Sequence, residues 1–132
     1  MTLVLLRDYP DYFAAGFPTC EALRNDMITD EDILKFAKTP LWFISAKTDN
    51  FVNPKDYAVP TVERLKKVGA DVHFSFFDDV HDTSGLFKNE GGKPYEYYGH
   101  FSWIYVYNDE CEEVIDGKKV KLMEWMASKK KN

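Results

Sequence analysis

The sequence has no long hydrophobic run. Leu3 to Leu6 are consecutive and apolar, but Arg7 and Asp8 end the run. It is therefore shorter than the roughly 7 to 15 residues of a signal-peptide core and far shorter than the about 20 of a membrane span. We expect no targeting or membrane segment in these 132 residues and a cytoplasmic location by default, although a signal upstream of Met1 would change that.

The sequence also has little cysteine and no surplus of positive charge. Its formal net charge is -5, which argues against nucleic acid as a partner, and its basic cluster is the tail at Lys129, Lys130 and Lys131. Cys20 and Cys111 are too few for a disulfide scaffold and too far apart for a CxxC motif. Whether they are free or paired stays open.

A serine in a GxSxG motif is missing as well. Ser45 and Ser75 fall in predicted strands, whereas Ser84 lies in a loop without a strand-to-helix elbow. The other serines are Ser102, on a predicted helix, and Ser128, in the tail. Cys20 is an alternative nucleophile, but a small residue filling space near a strand end explains it better.

What the sequence does contain is enough apolar side chain for one packed domain over residues 1–132, with 45% hydrophobic and 16% aromatic residues. Helix and strand patterns alternate along it. The predicted helices are 1–9, 28–38, 59–68, one starting at Phe101 and one at 120–127; the predicted strands are 13–17, 41–46 and 72–77, and 78–99 is a long loop. This order predicts an α/β fold with about three parallel strands and flanking helices.

Two residues in the loops after the predicted strands have side chains suited to acid–base catalysis. Asp49 follows strand 41–46 in KTDNFVNP, and His100 lies in GHFSW beyond strand 72–77. Loops that leave neighbouring parallel strands bring such side chains together, and a carboxylate that orients a histidine is an acid–base arrangement. Asp49 is equally explained as a turn-forming residue. His81, in FDDVHDTSG, is the alternative histidine.

We expect no cofactor and no metal ion. One histidine among the acidic residues near His81, without a second histidine at ligand spacing, is weak evidence for a metal site. His73 alternates within VHFSFF and is interpreted as a structural position facing away from the site.

The order of these motifs resembles the C-terminal half of an α/β-hydrolase. KTDNFVNP is similar to the loop that carries the acid, and GHFSW to the histidine loop of the esterase and prolyl-oligopeptidase-like branches. RDYPDYFAAGFP is similar to the stretch after the nucleophile elbow in polyhydroxybutyrate-depolymerase-like and feruloyl-esterase-like members. The resemblance covers nearly the whole chain.

The resemblance implies that Asp49 is the triad acid and His100 the base, with His81 as runner-up. It implies carboxylic esters, small or polymeric, as substrates, and a serine peptidase of the same fold as a further alternative. Trp103 and Tyr98, which lie close to His100 in the sequence, are candidates for lining an acyl or aryl pocket, with ordinary packing against the sheet as the alternative. The family's nucleophile elbow and first strands precede the position of Met1, so the chain is expected to be a C-terminal portion and inactive alone.

The rival hypothesis is a non-catalytic module that binds itself or a partner. The missing neighbour of strand 13–17 leaves an open sheet edge beside the apolar N-terminal helix. We therefore expect a homo-oligomer that forms through this edge and helix.

Overall fold

A computed structural model describes residues 1–131. The helices and strands follow one another along the chain, with short 3₁₀ turns at Asn25–Met27 and Gly99–Phe101. The elements are α1 (Thr2–Asp8), α2 (Asp30–Phe36), β1 (Leu41–Ala46), α3 (Ala58–Lys67), β2 (Val72–Phe77), β3 (Val80–His81), β4 (Glu96–Tyr97), α4 (Trp103–Tyr107), β5 (Glu112–Ile115), β6 (Lys118–Lys121) and α5 (Leu122–Ser128).

The centre of the fold is the parallel pair of β1 and β2, which α3 connects. Its register runs from Leu41 opposite Val72 to Ala46 opposite Phe77. All six residues of β1 are buried, as the continuous apolar run predicts for a strand covered on both faces. Leu41 and Phe43 pack with α1, α2 and α3. The alternate residues Trp42, Ile44 and Ala46 pack with α4, α5 and Cys111.

The predicted strand at 13–17 is not a regular strand. This segment meets β1 only through two isolated parallel bridges, Gly16 to Leu41 and Thr19 to Ile44. Pro18 has no N–H to donate to β1, so a continuous ladder does not form. The expected three-stranded sheet is therefore two strands with a third segment bridged to it.

The second half of the chain also differs from the sequence prediction. The loop 78–99 contains the short antiparallel pair β3–β4. The Asp116–Gly117 dipeptide is the tip of the hairpin β5–β6, with φ of +50° and +77°, which is typical of a type I′ hairpin turn. The last helix accordingly starts at Leu122, because Val120 lies in β6.

The predicted helices at 1–9 and 28–38 are present with shorter bounds, and the one at 59–68 is present one residue earlier. Thr29 and Asp32 form the capping box that starts α2, since each side chain accepts a hydrogen bond from the other residue's backbone N–H. Gly69 follows α3 with φ +76°, the left-handed conformation common after a helix end. In α1 Leu3 and Leu6 are buried, but Leu5 is 38% exposed.

His73 is a structural residue of β2 and does not belong to the loops that follow the strands. Its ring nitrogens lie 2.6 Å from Glu113 Oε2 and 3.0 Å from Asp71 Oδ1. Glu113 Oε1 also accepts the backbone N–H of Phe74, so the β5–β6 hairpin is fastened to the free edge of β2. No helix within residues 1–131 has the length and apolar character needed to cross a membrane.

Candidate active site

Asp49 lies in the turn that directly follows β1. Its backbone N–H donates to the carbonyl of Ala46, which closes the turn. Its Oδ1 accepts the backbone N–H groups of Phe51 at 3.0 Å and Val52 at 2.8 Å. These bonds fix the carboxylate, whose side chain is fully buried. Oδ2 remains free to accept a bond from another part of the chain.

His100 supplies that bond from the 3₁₀ turn before α4. Its Nδ1 lies 2.8 Å from Asp49 Oδ2. Because an ionised carboxylate only accepts, this contact assigns the ring proton to Nδ1 and leaves Nε2 as the acceptor nitrogen. The His100 ring packs edge-on against Phe51, with centroids 5.2 Å apart, and Trp103, at 5.5 Å. Its side chain is 23% exposed, so the imidazole is oriented and still accessible.

Gly99 allows the two loops to approach this closely. A Cβ on Gly99 would lie 2.5 Å from the backbone nitrogen of Asp49 and would also overlap the backbone carbonyl of Thr48. Only hydrogen fits between these backbones. The distance between the acid loop and the histidine loop therefore depends on glycine at this position.

Cys20 lies beneath His100 at the end of the bridged segment. Its Sγ is 2.9 Å from the carbonyl oxygen of His100, to which the thiol donates, and 3.1 Å from Ser102 Oγ. Burial raises the pKa of the Cys20 thiol, which keeps it protonated near neutral pH. This argues against Cys20 as an activated thiolate nucleophile.

The structure separates His81 from Asp49. His81 Nδ1 lies 2.5 Å from Asp79 Oδ1 and 3.3 Å from the hydroxyl of Tyr105. Among the described residues its ring has no hydrogen bond to Asp49. The local pair with Asp79 is a contact within one loop, two residues apart, whereas His100 and Asp49 are 51 residues apart.

The aromatic residues predicted to line a pocket lie on either side of the histidine loop. Trp103 is partly buried and packs on the His100 ring at an interplanar angle of 89°. Tyr98 is 47% exposed and packs edge-on against Phe101. Trp103 thus contacts the candidate base directly, whereas Tyr98 is connected to it only through Phe101, which packs on Trp103.

The serine hydroxyls do not complete a triad. Ser102 is fully buried and bonded to Cys20, and Ser84 donates to Asp82. Ser75 accepts from the Trp42 indole, and Ser128 donates to the carbonyl of Trp125. Over residues 1–131, none of these side chains is hydrogen-bonded to the His100 ring.

Glu21, next to Cys20, is a buried acid that the sequence analysis missed. Its Oε1 accepts the backbone N–H of Leu23, but its Oε2 has no hydrogen-bond partner among the described residues. Burial raises the pKa of Glu21 to about 7. No local pattern in FPTCEA indicates this burial, which results from the packing of α1 over the segment.

The fold is similar to that of a solved structure. The crystal structure of a thermostable esterase superposes with a TM-score of 0.65 and 20% sequence identity. The match covers 97% of this chain and 27% of the esterase chain, so the chain spans about a quarter of that protein. No protein-family model and no curated protein matches the sequence. The chain therefore has an α/β, esterase-like fold.

Replacing Gly99 by alanine tests the close approach of the two loops. The added Cβ overlaps backbone on the Thr48–Asp49 side, so we expect a loss of about 3 kcal/mol, the upper part of the range for overpacking. Gly91→Ala is the control, because a Cβ there meets only the Asn89 side chain at 3.4 Å. Urea unfolding measures both, and equal stability of the two variants would contradict the prediction.

Replacing Glu21 by glutamine tests the buried carboxyl. Its pKa is 4.5 in an exposed state and about 7 in the fold, so the unfolded chain ionises first and stability falls between these pH values. Glu21→Gln removes this loss and should be more stable than the parent by about 3 kcal/mol above pH 7. The difference in unfolding free energy between variant and parent should be smallest below about pH 4.5, where the carboxyl is protonated in both the folded and the unfolded chain.

The exposed Glu63 on α3 provides the control for removing one carboxylate. Unfolding of the Glu21→Gln and Glu63→Gln variants is followed across the same pH range. A stability difference for Glu21→Gln that does not change with pH would rule out a buried ionisation at Glu21.

Proposed function

We propose that this chain carries the acid and base of a serine ester hydrolase of the α/β-hydrolase class. Residues outside the 132-residue sequence would supply the nucleophilic serine and the oxyanion hole. The observation that carries the proposal is the 2.8 Å bond between His100 Nδ1 and a fully buried Asp49 carboxylate. The esterase-like fold supports it at the level of class.

The roles follow from the geometry of the pair. Nε2 of His100 takes the proton of the attacking serine hydroxyl and later returns it to the leaving alcohol. Asp49 holds the ring in the Nδ1–H tautomer and stabilises the imidazolium that forms. The two backbone bonds to Oδ1 keep the acid from rotating away during this cycle. The serine forms and then loses an acyl ester, and water takes the acyl group.

The substrate class proposed is carboxylic esters, with an aryl or polymeric acyl part. Trp103 packs on His100 and Tyr98 is exposed nearby along the chain, so we propose that both rings line the acyl pocket. Flat apolar surfaces beside the base would favour a flat or extended apolar group. A peptide bond is the alternative substrate within the same class of hydrolase.

A second candidate function is self-association, favoured by the outer edge of the bridged segment. Gly16, Pro18 and Cys20 direct their backbone groups to β1. Among the described residues, Ala15 and Phe17 make no backbone hydrogen bond on the opposite side. Leu5 is partly exposed beside this edge and lines an apolar groove with Phe13, Phe17 and Met126. A second copy of the chain that pairs its own edge with this one would satisfy the unpaired backbone groups and cover the apolar groove.

The hydrolase proposal is tested by variants in the longest reading frame that contains the chain. If in-frame sequence upstream of Met1 encodes a GxSxG serine, Asp49→Asn should lower kcat for p-nitrophenyl acetate by about 10⁴-fold, because the ring loses its orienting acid. His100→Ala should lose turnover to a similar extent. His81→Ala is the matched control and should leave kcat unchanged.

The chain of 132 residues alone should give no burst of product from the same ester, since it has no GxSxG serine. Titratable turnover by this chain that disappears in His100→Ala would contradict the proposal that the nucleophilic serine lies outside this sequence. An in-frame stop codon close upstream of Met1 would favour the association function instead.

The association function predicts a dimer or larger assembly by light scattering. Leu5→Lys places a charge in the apolar groove and should shift the protein towards monomer. Leu34→Lys is the matched control, because Leu34 is 58% exposed on α2 and lies outside this groove. A parent protein that is monomeric at working concentration contradicts self-association, and equal effects of the two variants contradict this surface.

A further inference from the structure

Cys20, Asp49 and His100 bring three metal-binding atoms together. The thiol sulfur, a carboxylate oxygen and a ring nitrogen all lie within 4.8 Å of one another. They come from three separate loops at the carboxyl end of the sheet. The sequence does not indicate this group, because the three residues lie far apart along the chain and only the fold makes them neighbours.

We propose that these three side chains form a binding site for one thiophilic divalent cation of the Zn²⁺ or Cd²⁺ class. A thiolate, an imidazole and a carboxylate are the ligand types of zinc sites that keep a fourth position for water. A thiolate ligand disfavours Mg²⁺ and Ca²⁺, which prefer oxygen. Thiolate and carboxylate together carry two negative charges and neutralise the cation.

Burial and access suit such an ion. Cys20 and Asp49 are buried, so their attraction for a cation is little screened by water. The His100 side chain is 23% exposed and leaves an entry path. The cation displaces the thiol proton to solvent, and the imidazole stays neutral with its proton on the nitrogen that does not bind.

The backbone of Cys20 supports a specific use of its thiol. Its φ is +50°, a conformation that side chains other than Asn and Asp rarely adopt. The other non-glycine residues with positive φ, Asp109 and Asp116, are of the type that tolerates it. Strained residues of this kind cluster at functional sites. Here the strained turn holds Sγ beneath His100, 2.9 Å from its carbonyl.

The required movement is small. Ligand atoms on a tetrahedral zinc lie about 3.3 to 3.8 Å apart, given bonds of about 2.0 to 2.3 Å. Donors within 4.8 Å of one another reach this arrangement by shifts of about 1 Å. A bound cation would also engage the acid and the base and would block acid–base catalysis. The site itself rests on the three donors and does not depend on the proposed hydrolase function.

Cadmium titration of the reduced 132-residue chain tests the site without any activity assay. Cd²⁺ bound to a thiolate produces an ultraviolet charge-transfer band, which should rise to a plateau at one equivalent. Zn²⁺ should displace Cd²⁺ and remove the band, and Mg²⁺ should not. Cys20→Ser should abolish the band.

Two further variants make the test specific. Cys111→Ser is the matched control, because Cys111 is the other cysteine and burial raises its pKa to about 12. It should keep the band. His100→Ala retains the thiol and should weaken Cd²⁺ binding at least about tenfold, since even loss of a supporting residue of a metal site has that effect. Circular dichroism checks the fold of each variant.

The proposal is overturned by any of three results. The parent chain gives no band at one equivalent, the band persists in Cys20→Ser, or His100→Ala binds Cd²⁺ as tightly as the parent. The last result would mean that the imidazole is not a ligand of the ion. Ester hydrolysis does not enter these readouts, so failure of the hydrolase proposal leaves this result interpretable.

Discussion

The close packing of the histidine loop on the turn after β1 is the constraint on which the site depends. β1 is buried on both faces, so the position of its last residue is fixed by two cores at once. Asp49 follows three residues later in a turn closed by its own backbone. Gly99 then lets the second loop come into contact with that turn. Backbone packing therefore determines how closely Asp49 and His100 approach one another.

Local signals in the sequence account for the elements that were predicted well. LWFISA is apolar without alternation, which is the pattern of a strand between two layers, and both layers are present. The Thr29–Asp32 capping box and Gly69 mark helix ends through bonds and angles made within a few residues. Such features need no knowledge of the rest of the chain. The meeting of the loops that carry Asp49 and His100 was predictable for a different reason, because loops that leave neighbouring parallel strands lie at the same edge of the sheet.

The features that the sequence did not reveal depend on distant contacts or on unrecognised turn chemistry. The segment 13–17 has the composition of a strand, but Pro18 has no N–H with which to continue the ladder to β1. The Asp116–Gly117 turn was a recognisable hairpin signal. The sequence KKVK that follows it is polar and rich in lysine, so it did not indicate strand β6. Cys20 and Glu21 look ordinary in FPTCEA. Both are buried in the folded chain, and Cys20 also has a positive φ, which nothing in this stretch indicates.

Asp49 also shows that one carboxylate can both form a turn and accept a bond from the candidate base. Oδ1 makes the turn bonds to Phe51 and Val52, and Oδ2 receives His100. A carboxylate without these turn bonds would leave its histidine partner less firmly held. Beside it, a strained Cys20 and a half-satisfied Glu21 occur in consecutive positions. A strained backbone conformation and a buried oxygen without a partner both reduce stability, and they lie together at this end of the sheet. Such features are expected to cluster where a fold serves a functional site as well as stability.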